Sequence, residues 1–292
     1  MADSVDLDCY GVSDRGRKRE RNEDQFLVAE LQKSMLVGMT SLTPEESTRL
    51  FGRVLGHLLL VADGMGGAAA GEQASRIAVS SLTKFILNTM PWFFGLDEEH
   101  LQELKAELAH GLQRCQKSIE AFASEHPAMK GMGTTLTMAY VLWPHVYVVH
   151  VGDSRCYLRR GQDLHQVTRD HTIAQQLRDT GVNVGPFSRL GNVLWNVIGG
   201  GSSELSPEVY RLEIEPGDTL LLCTDGLNRH VSDETIAESL AQELSATETC
   251  HELIAAANEG GGTDNTTVVV ARFTPRREGA APRLVAAERE GS

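Results

Sequence analysis

The chain has 292 residues, 41% hydrophobic and 23% charged, a composition typical of a globular protein with a substantial core. Its formal net charge of −13 argues against nucleic acid as a main partner, because such affinity comes from lysine and arginine on phosphates. The five cysteines are scattered without zinc-ligand spacing, which favours reduced thiols in a cytoplasmic protein. The N-terminal residues MADSVDLD lack the apolar stretch of a signal peptide, and the apolar runs are too short to span a bilayer, so we expect no membrane association.

The first part of the chain predicts strands on either side of an insertion. The predicted strands are 6–14, 23–31 and 58–63, and a charged turn joins the first two. Residues 32–57 interrupt the strand pattern, and Thr43-Pro44-Glu45-Glu46 has the residues of a helix start. We therefore expect a short helical insertion at 32–57.

The middle of the chain predicts two amphipathic helices, three strands and a loop. Apolar residues at helical spacing predict helices over 71–89 and 97–124, and a shorter helix is predicted over 172–180. Consecutive antiparallel strands are predicted over 133–143, 146–154 and 155–161. Residues 182–206 are rich in glycine, which predicts a long mobile loop of the kind that is often functional.

The last part of the chain alternates strands and helices in blocks. Strands are predicted over 208–215, 218–224 and 265–273, and helices over 233–243 and 247–259. Residues 275–292 have no periodicity, which predicts a disordered tail. Blocks of strands and blocks of helices favour an α+β fold with antiparallel sheets over a doubly wound parallel sheet.

Four aspartates lie at the ends of apolar strand-like runs. Asp63, Asp153 and Asp225 follow such runs, and Asp264 precedes one. Each Asp-Gly or Gly-Asp pair alone is more typical of a turn, but a carboxylate at the mouth of a buried strand is costly unless its charge is cancelled. Four of them indicate a shared cation, and an oxygen-only ligand set selects Mg²⁺ or Mn²⁺. Two such ions suit the hydrolysis of a phosphoester.

A basic turn precedes two further acidic residues, Glu23 and Asp24. The turn contains Arg15, Arg17, Lys18, Arg19 and Arg21. A solvated surface hairpin accounts for most of these five residues. One arginine directed at the metal cleft would be able to bind a phosphate dianion through two hydrogen bonds.

Seven segments in order resemble the motifs of the metal-dependent protein phosphatases (PPM, type 2C serine/threonine phosphatases), in their bacterial form. These are SDRGRKRERNEDQF, VADGMGG, GMGTTLT, VGDSRCYL, VTRDHT, LLLCTDGL and GGTDNTTVVV. The resemblance covers roughly residues 8–273, and the order and spacing make it specific. It implies a phosphatase domain over 1–274, built as a four-layer αββα sandwich of two antiparallel sheets flanked by helices. Residues 182–206 match the flap beside the active site.

The resemblance also implies a metal centre. Asp63 matches the residue that bridges two metals, and the Gly64 carbonyl matches a ligand of one of them. Asp225 and Asp264 complete the primary site, and Asp63 and Asp225 are assigned to catalysis as well. Asp153, with Asp225, matches a third-metal site. The expected cofactors are Mn²⁺ or Mg²⁺ at two tight sites, with a third, weaker site.

Other positions are carried over with departures. Glu23 and Asp24 match the acidic pair that supports the metal waters, and Arg19 matches the catalytic arginine that binds the substrate phosphate. Met65 stands where some eukaryotic members carry a histidine proposed as a general acid. We interpret His171 as structural. The insertion at 32–57 is longer than expected for the family, and the flap is only loosely similar.

The resemblance implies a serine/threonine phosphoprotein phosphatase that hydrolyses phosphoserine and phosphothreonine with a metal-activated water. Its expected partners are phosphoproteins and, by analogy with bacterial members, a serine/threonine protein kinase. One alternative is a catalytically inactive regulatory module that binds phosphoproteins. Another is a metal-dependent hydrolase of small phosphoesters.

Overall fold

A computed structural model describes residues 5–36, 49–89, 98–185, 189–201 and 205–275. The predicted tail, apart from Pro275, lies outside the described residues, as does the predicted helix start at 43–46. Within the described ranges, no helix is long and apolar enough to cross a membrane.

The described chain forms thirteen strands and six α-helices. The strands are β1 (Val5–Asp14), β2 (Gln25–Leu36), β3 (Arg49–Ala62), β4 (Gly64–Met65), β5 (Gly133–Thr134), β6 (Leu136–Leu142), β7 (His145–Val151), β8 (Arg155–Arg160), β9 (Asp163–Gln166), β10 (Ile198–Gly199), β11 (Glu208–Glu213), β12 (Thr219–Cys223) and β13 (Thr266–Pro275). The helices are α1 (Ala68–Thr89), α2 (Glu98–Glu125), α3 (Ile173–Asp179), α4 (Asp225–Asn228), α5 (Asp233–Ala241) and α6 (Ala246–Glu259).

Two five-stranded sheets form the centre of the molecule. One has the order β1-β13-β12-β8-β9 and the other the order β11-β7-β6-β3-β2. A smaller three-stranded sheet has the order β10-β5-β4. The pairs within the sheets are antiparallel, and β1 pairs with β13 from Val5 opposite Pro275 to Asp14 opposite Thr266.

The apolar runs are buried on both faces because each sheet lies between two other layers. In β3, Leu58 and Leu60 pack in the core formed with α1 and α2, whereas Leu59 and Val61 pack between the two sheets. In β12, Leu221 packs on the opposite side, in the core formed with α5 and α6. Side chains alternate between the faces of a strand, so a strand in the middle of four layers needs apolar residues at every position. The predicted four-layer αββα sandwich is confirmed.

The prediction of a helical insertion over 32–57 is wrong for its described parts. Residues 32–36 belong to β2 and residues 49–57 to β3, and the two strands pair as far as Leu36 opposite Arg49, with register shifts near Gln32. Strand β6 pairs with β3 only from His57 to Val61. Beyond that point β2 and β3 continue as a two-stranded ribbon. Gln32 and Ser34 of this ribbon are exposed, so its sequence need not carry the apolar run of a central strand.

Two predicted turns are crossings between sheets. Strands β1 and β2 do not form a hairpin, because they belong to different five-stranded sheets. The same holds for β7 and β8, which were predicted as consecutive paired strands. The connections at 15–24 and 152–154 therefore carry the chain from one sheet to the other, and both bear residues of the predicted site.

The predicted loop over 182–206 is partly ordered by hydrogen bonds to its neighbours. Its residues Ile198 and Gly199 form β10 and pair with β5, and Leu194 forms an isolated bridge with Thr172. Residues 186–188 and 202–204 lie outside the described residues. Strand β9 and the short helix α4 were not predicted.

Candidate active site

The crossings between the sheets border a cleft of about 610 Å³ at one end of the sandwich. Seven of the eight predicted site residues line it: Arg19, Glu23, Asp63, Gly64, Asp153, Asp225 and Asp264. The eighth, Asp24, is 3% exposed and lies beneath the cleft, bonded to the ends of β12 and β13. The structure thus brings together all the residues that the motifs singled out.

The backbone of Asp63 is fixed at the end of β3 by two threonines. Its N–H donates to Thr135 Oγ1 at 3.0 Å, and its carbonyl accepts from Thr135 N at 2.9 Å and from Thr134 Oγ1 at 2.8 Å. These bonds use the main-chain groups of Asp63 and leave its carboxylate to face the cleft.

Gly64 lies where three segments meet. A Cβ at this position would be 2.2 Å from the Gly71 carbonyl oxygen and 2.7 Å from the Glu23 carbonyl oxygen. No side chain fits so close to two backbone oxygens. The glycine therefore allows the end of β3 to approach both the first turn of α1 and the acidic pair.

The two carboxylate oxygens of Asp24 differ in their hydrogen bonding. Its Oδ2 accepts from Thr224 Oγ1 at 2.8 Å and from Thr267 Oγ1 at 2.7 Å. Its Oδ1 is buried and has no hydrogen-bond partner among the described residues. Burial raises the pKa of Asp24 to about 7, against the opposing effect of the two threonine hydroxyls, and the charges of Asp225 and Asp264 add to the rise.

Asn265 attaches the basic turn to the acidic pair. Its Oδ1 accepts from Glu23 N at 2.9 Å, and its Nδ2 donates to the carbonyls of Arg15 and Arg21 at 2.9 and 2.8 Å. One amide thereby sets the shape of the turn that carries Arg19. The sequence analysis did not single out Asn265, whose only signal is its position next to Asp264.

Two guanidinium groups lie against the aspartates. Arg19 binds Asp264 through two contacts, Nη2 to Oδ2 and Nε to Oδ1, both 2.9 Å. Arg229 binds Asp264 Oδ2 through Nη1 at 3.1 Å and Asp225 Oδ2 through Nη2. The sequence analysis missed Arg229, although its spacing of four residues from Asp225 is that of an ion pair on a helical turn.

The aspartates of the cleft destabilise one another's charged forms. Burial raises the pKa of Asp63 well above its usual range, and the charges of Asp24, Asp225, Asp153 and Asp264 raise it further. Burial raises the pKa of Asp153, and the charge of Asp225 raises it further. Burial also raises the pKa of Asp225, although the charge of Arg229 opposes this rise. A cation placed among them would relieve this repulsion.

The donor set fits hard divalent cations. It consists of carboxylate and carbonyl oxygens, and Asp225 Oδ1 is buried without a hydrogen-bond partner among the described residues. Within the described ranges, no three acidic, histidine or cysteine side chains already surround one point as ligands of a single ion. Arg19 and Arg229 instead hold oxygens of Asp264 and Asp225, so coordination would require these carboxylates to exchange a guanidinium for the ion.

His171 connects the loop at 182–206 with the turn that bears Asp153. Its Nδ1 accepts from Gly152 N at 3.1 Å and faces Asn196 Nδ2 at 3.0 Å, and its backbone N–H donates to the Gly152 carbonyl at 2.7 Å. Trp195 N donates to the His171 carbonyl at 3.0 Å. His171 is 1% exposed and does not line the cleft.

Comparison with known proteins decides the family. The model of the family described as protein phosphatase 2C matches residues 52–259, more than half of the chain. The chain belongs to the protein phosphatase 2C family. The predicted family is therefore confirmed.

Relatives in the protein phosphatase 2C family agree with this assignment. The chain is 39% identical over 217 residues to the serine/threonine protein phosphatase PstP of Mycobacterium tuberculosis, covering 74% of this chain and 40% of the relative. It is 30% identical over 262 residues to the serine/threonine phosphatase stp of Listeria monocytogenes, covering 88% of this chain and 92% of the relative. The chain thus spans less than half of the PstP relative and nearly all of stp.

A solved structure has the same fold and contains metal. The crystal structure of the PstP catalytic domain in complex with two manganese ions shares 35% identity, with a TM-score of 0.72 over 93% of this chain and 100% of that chain. This chain therefore shares its fold with a domain whose crystal structure contains two manganese ions.

Proposed function

We propose that the chain is a serine/threonine phosphoprotein phosphatase that hydrolyses phosphoserine and phosphothreonine with two tightly bound Mn²⁺ or Mg²⁺ ions. The observation that carries the proposal is the convergence of Asp63, Asp225 and Asp264 in one cleft with Arg19 at its edge. These residues come from four separate segments, and their shared position supplies the acids and the cation that phosphoester hydrolysis needs.

Asp63, the Gly64 carbonyl, Asp225 and Asp264 are the proposed ligands of the two ions. The chemistry that bound ions would supply is activation of a water near neutral pH and stabilisation of charge on the phosphoryl oxygens. The raised pKa values of Asp63 and Asp225 support this assignment, because carboxylates that repel one another gain most from a divalent cation. The proposed protein domain spans 1–274.

Arg19 is the proposed binding group for the substrate phosphate. Its guanidinium presents a planar fork of donors, which matches a phosphate as well as it matches the carboxylate of Asp264 that it binds in this structure. About half of the side chain is exposed, so the group is accessible from the cleft. Glu23 and Asp24 are proposed to orient water beside the ions through hydrogen bonds.

Asp153 is proposed to form a third, weaker ion site with Asp225. Asp153 lines the same cleft, and its pKa is raised by burial and then by the charge of Asp225, which supports a shared cation. With two protein carboxylates such an ion would keep most of its waters and bind weakly. Calorimetric titration of Asp153→Ala should therefore retain the two tight sites and lose the weak one.

The proposed partners are phosphoproteins in the cytoplasm, including an associated serine/threonine protein kinase. This part of the proposal is supported by the names of the relatives and by the acidic chain with arginines concentrated at one cleft. The alternative of an inactive phosphoprotein-binding module would be supported by loss of a ligand acid. All the acids assigned to the ions are present and line the cleft.

Hydrolysis of a phosphothreonine peptide tests the proposal. The protein is stripped with EDTA and assayed alone, with Mn²⁺ and with Mg²⁺, beside p-nitrophenyl phosphate as a small phosphoester. We expect activity on the peptide that disappears on chelation and returns with either ion. Binding of the peptide without turnover would favour the inactive module, and turnover of p-nitrophenyl phosphate alone would favour a small-molecule hydrolase.

A further inference from the structure

Arg229 places a permanent positive charge between two of the proposed metal ligands. It follows α4, and its guanidinium contacts Asp225 through Nη2 and Asp264 through Nη1 at 3.1 Å. The two carboxylates come from different segments, α4 and the turn before β13. One side chain therefore contacts both Asp225 and Asp264, the two acids that are proposed to bind the ions.

The charge of Arg229 acts on the whole group of aspartates. Burial lowers the pKa of Arg229, but Asp225, Asp264, Asp153 and Asp63 all raise it, and the net shift is upward. In the same way Arg229 opposes the rise in the pKa of Asp225 and of Asp153. Arg229 is thus the guanidinium that the structure places inside the cluster of acids.

Arg19 differs from Arg229 in its exposure to solvent and in the number of aspartates that it contacts. The side chain of Arg19 is 49% exposed and binds Asp264 from the basic turn, whereas that of Arg229 is 35% exposed and contacts two aspartates. A cation that is partly withdrawn from water interacts more strongly with nearby charges, because water screens it less.

We infer that Arg229 is an internal counter-ion that neutralises the acidic cleft when metal is absent and competes with metal ions for Asp225 and Asp264. The inference rests on the proposed function, because it concerns the carboxylates of the same site. A carboxylate oxygen that holds the guanidinium must exchange it for the ion, and a guanidinium that stays nearby repels a divalent cation. Arg229 therefore weakens metal binding and stabilises the metal-free fold.

The test compares Mn²⁺ binding in four forms of the full chain. Isothermal titration calorimetry is run on metal-free wild type, R229Q, R229K and R21Q. R21Q is the matched control: Arg21 also lines the cleft and loses the same charge, but its side chain is 59% exposed and its ion pair, at 4.0 Å, is with Glu72. We expect R229Q to bind Mn²⁺ about tenfold more tightly than wild type, and R21Q to stay within about twofold. R229K keeps the charge and should fall closer to wild type than R229Q does.

Thermal unfolding supplies a second readout that does not depend on affinity. In EDTA, R229Q should unfold about 2–4 °C below wild type, because the aspartates lose their counter-ion. In saturating Mn²⁺ the difference should shrink, because the ions supply the missing positive charge. R21Q should unfold close to wild type in both conditions.

The outcomes separate the inference from the proposed function. Absence of Mn²⁺ binding to wild type overturns both. Mn²⁺ binding to wild type with equal affinity in R229Q and R21Q overturns the inference and leaves the proposed function standing. A loss of stability in R229Q that is the same with and without Mn²⁺ also overturns it, since Arg229 would then be purely structural. So does an R229K that behaves like R229Q.

Discussion

Buried acidic side chains differ in their hydrogen bonding between two parts of this molecule. Away from the cleft, Asp218 is 2% exposed and is paired with Arg160 Nε and Nη2 at 3.0 and 2.6 Å, while Glu215 N donates to it at 2.8 Å. Asp170 is likewise held by Arg155 at 2.9 and 2.8 Å. In the cleft Asp225, and beneath it Asp24, each keep a buried oxygen without a hydrogen-bond partner among the described residues.

The difference separates acids that stabilise the fold from acids that are available to a ligand. A buried carboxylate whose oxygens are all bonded has little to gain from another cation. A carboxylate left partly unbonded beside other acids costs stability and gains on binding one. Substitutions of acids of each kind, and of the groups beside them, test this contrast.

Asp63→Ala and Asp264→Ala should abolish turnover of a phosphothreonine peptide, lowering kcat by at least about a thousandfold, because the proposed ion sites are lost. Steady-state kinetics with Mn²⁺ measures the effect. Asp163→Ala, an exposed acid on β9, is the control and should keep full activity. Retention of near-normal turnover by either cleft variant would contradict the proposed ligands.

Arg19→Ala should raise KM for the same peptide by about a hundredfold, since a charge-assisted bidentate contact is worth on the order of 2–3 kcal/mol. The value of kcat should change less, because the contact is made already in the ground state. Arg21→Ala should have much less effect on KM. Equal increases for the two variants would indicate a diffuse basic patch rather than one phosphate-binding arginine.

The stability of the fold should fall in acid because of His150, which is fully buried in β7. Burial and then the charge of His171 lower the pKa of His150 from 6.5 to about 3. The unfolded chain takes up the proton first, so this contribution is full above pH 6.5 and is lost as the pH falls toward the folded value. Relative to His150→Gln, wild type should lose about 2 kcal/mol of unfolding free energy between pH 7 and pH 5. Urea unfolding measures this difference, and a constant gap between the two proteins would contradict the prediction.

Neutralising Asp24, an acid with an unbonded oxygen, and Asp218, a fully bonded acid, should change the free energy of unfolding in opposite directions. The pKa of Asp24 is raised from 3.8 to about 7, so the fold loses stability as the pH rises from about 4 to about 7, and the full cost is present above pH 7. At pH 8 in EDTA, Asp24→Asn should increase the unfolding free energy by about 1 kcal/mol, because the asparagine Oδ1 still accepts from the two threonines. Asp218→Asn should decrease it by about 1–2 kcal/mol. Changes of the same sign would remove the distinction between the two kinds of acid.

The sequence predicted those strands that are buried on both faces, because such burial requires a continuous run of apolar residues. Strands β3, β12 and β13 lie in the middle of four layers, so an unbroken apolar run marks each of them. The ribbon formed by 32–36 and 49–57 pairs with no third strand of the described chain before His57, and it was mistaken for a helical insertion. The pairing of β1 with β13 was not visible, because contacts between residues far apart in the chain leave no local signal.

The same distinction separates the residues of the candidate site that the sequence predicted from those that it missed. The aspartates at the strand ends were found because each breaks an apolar run, and the order of motifs assigned Arg19 and the acidic pair. Thr224, Thr267 and Asn265 were missed because single hydroxyl and amide groups near strand ends have no periodicity. Arg229 was missed although it follows Asp225 by four residues, and its pairing with Asp264, 35 residues further along the chain, leaves no local signal.

The register of β1 against β13 has a consequence for protein engineering. Val5 is opposite Pro275, and the cleft lies beyond the other end of the pair, where Asp14 is opposite Thr266. Ten strand residues separate the two ends, a distance of about 30 Å. A fluorescent reporter or surface tether attached at either position would emerge away from the cleft. A short peptide joining the two would also allow circular permutation with new termini in a remote turn.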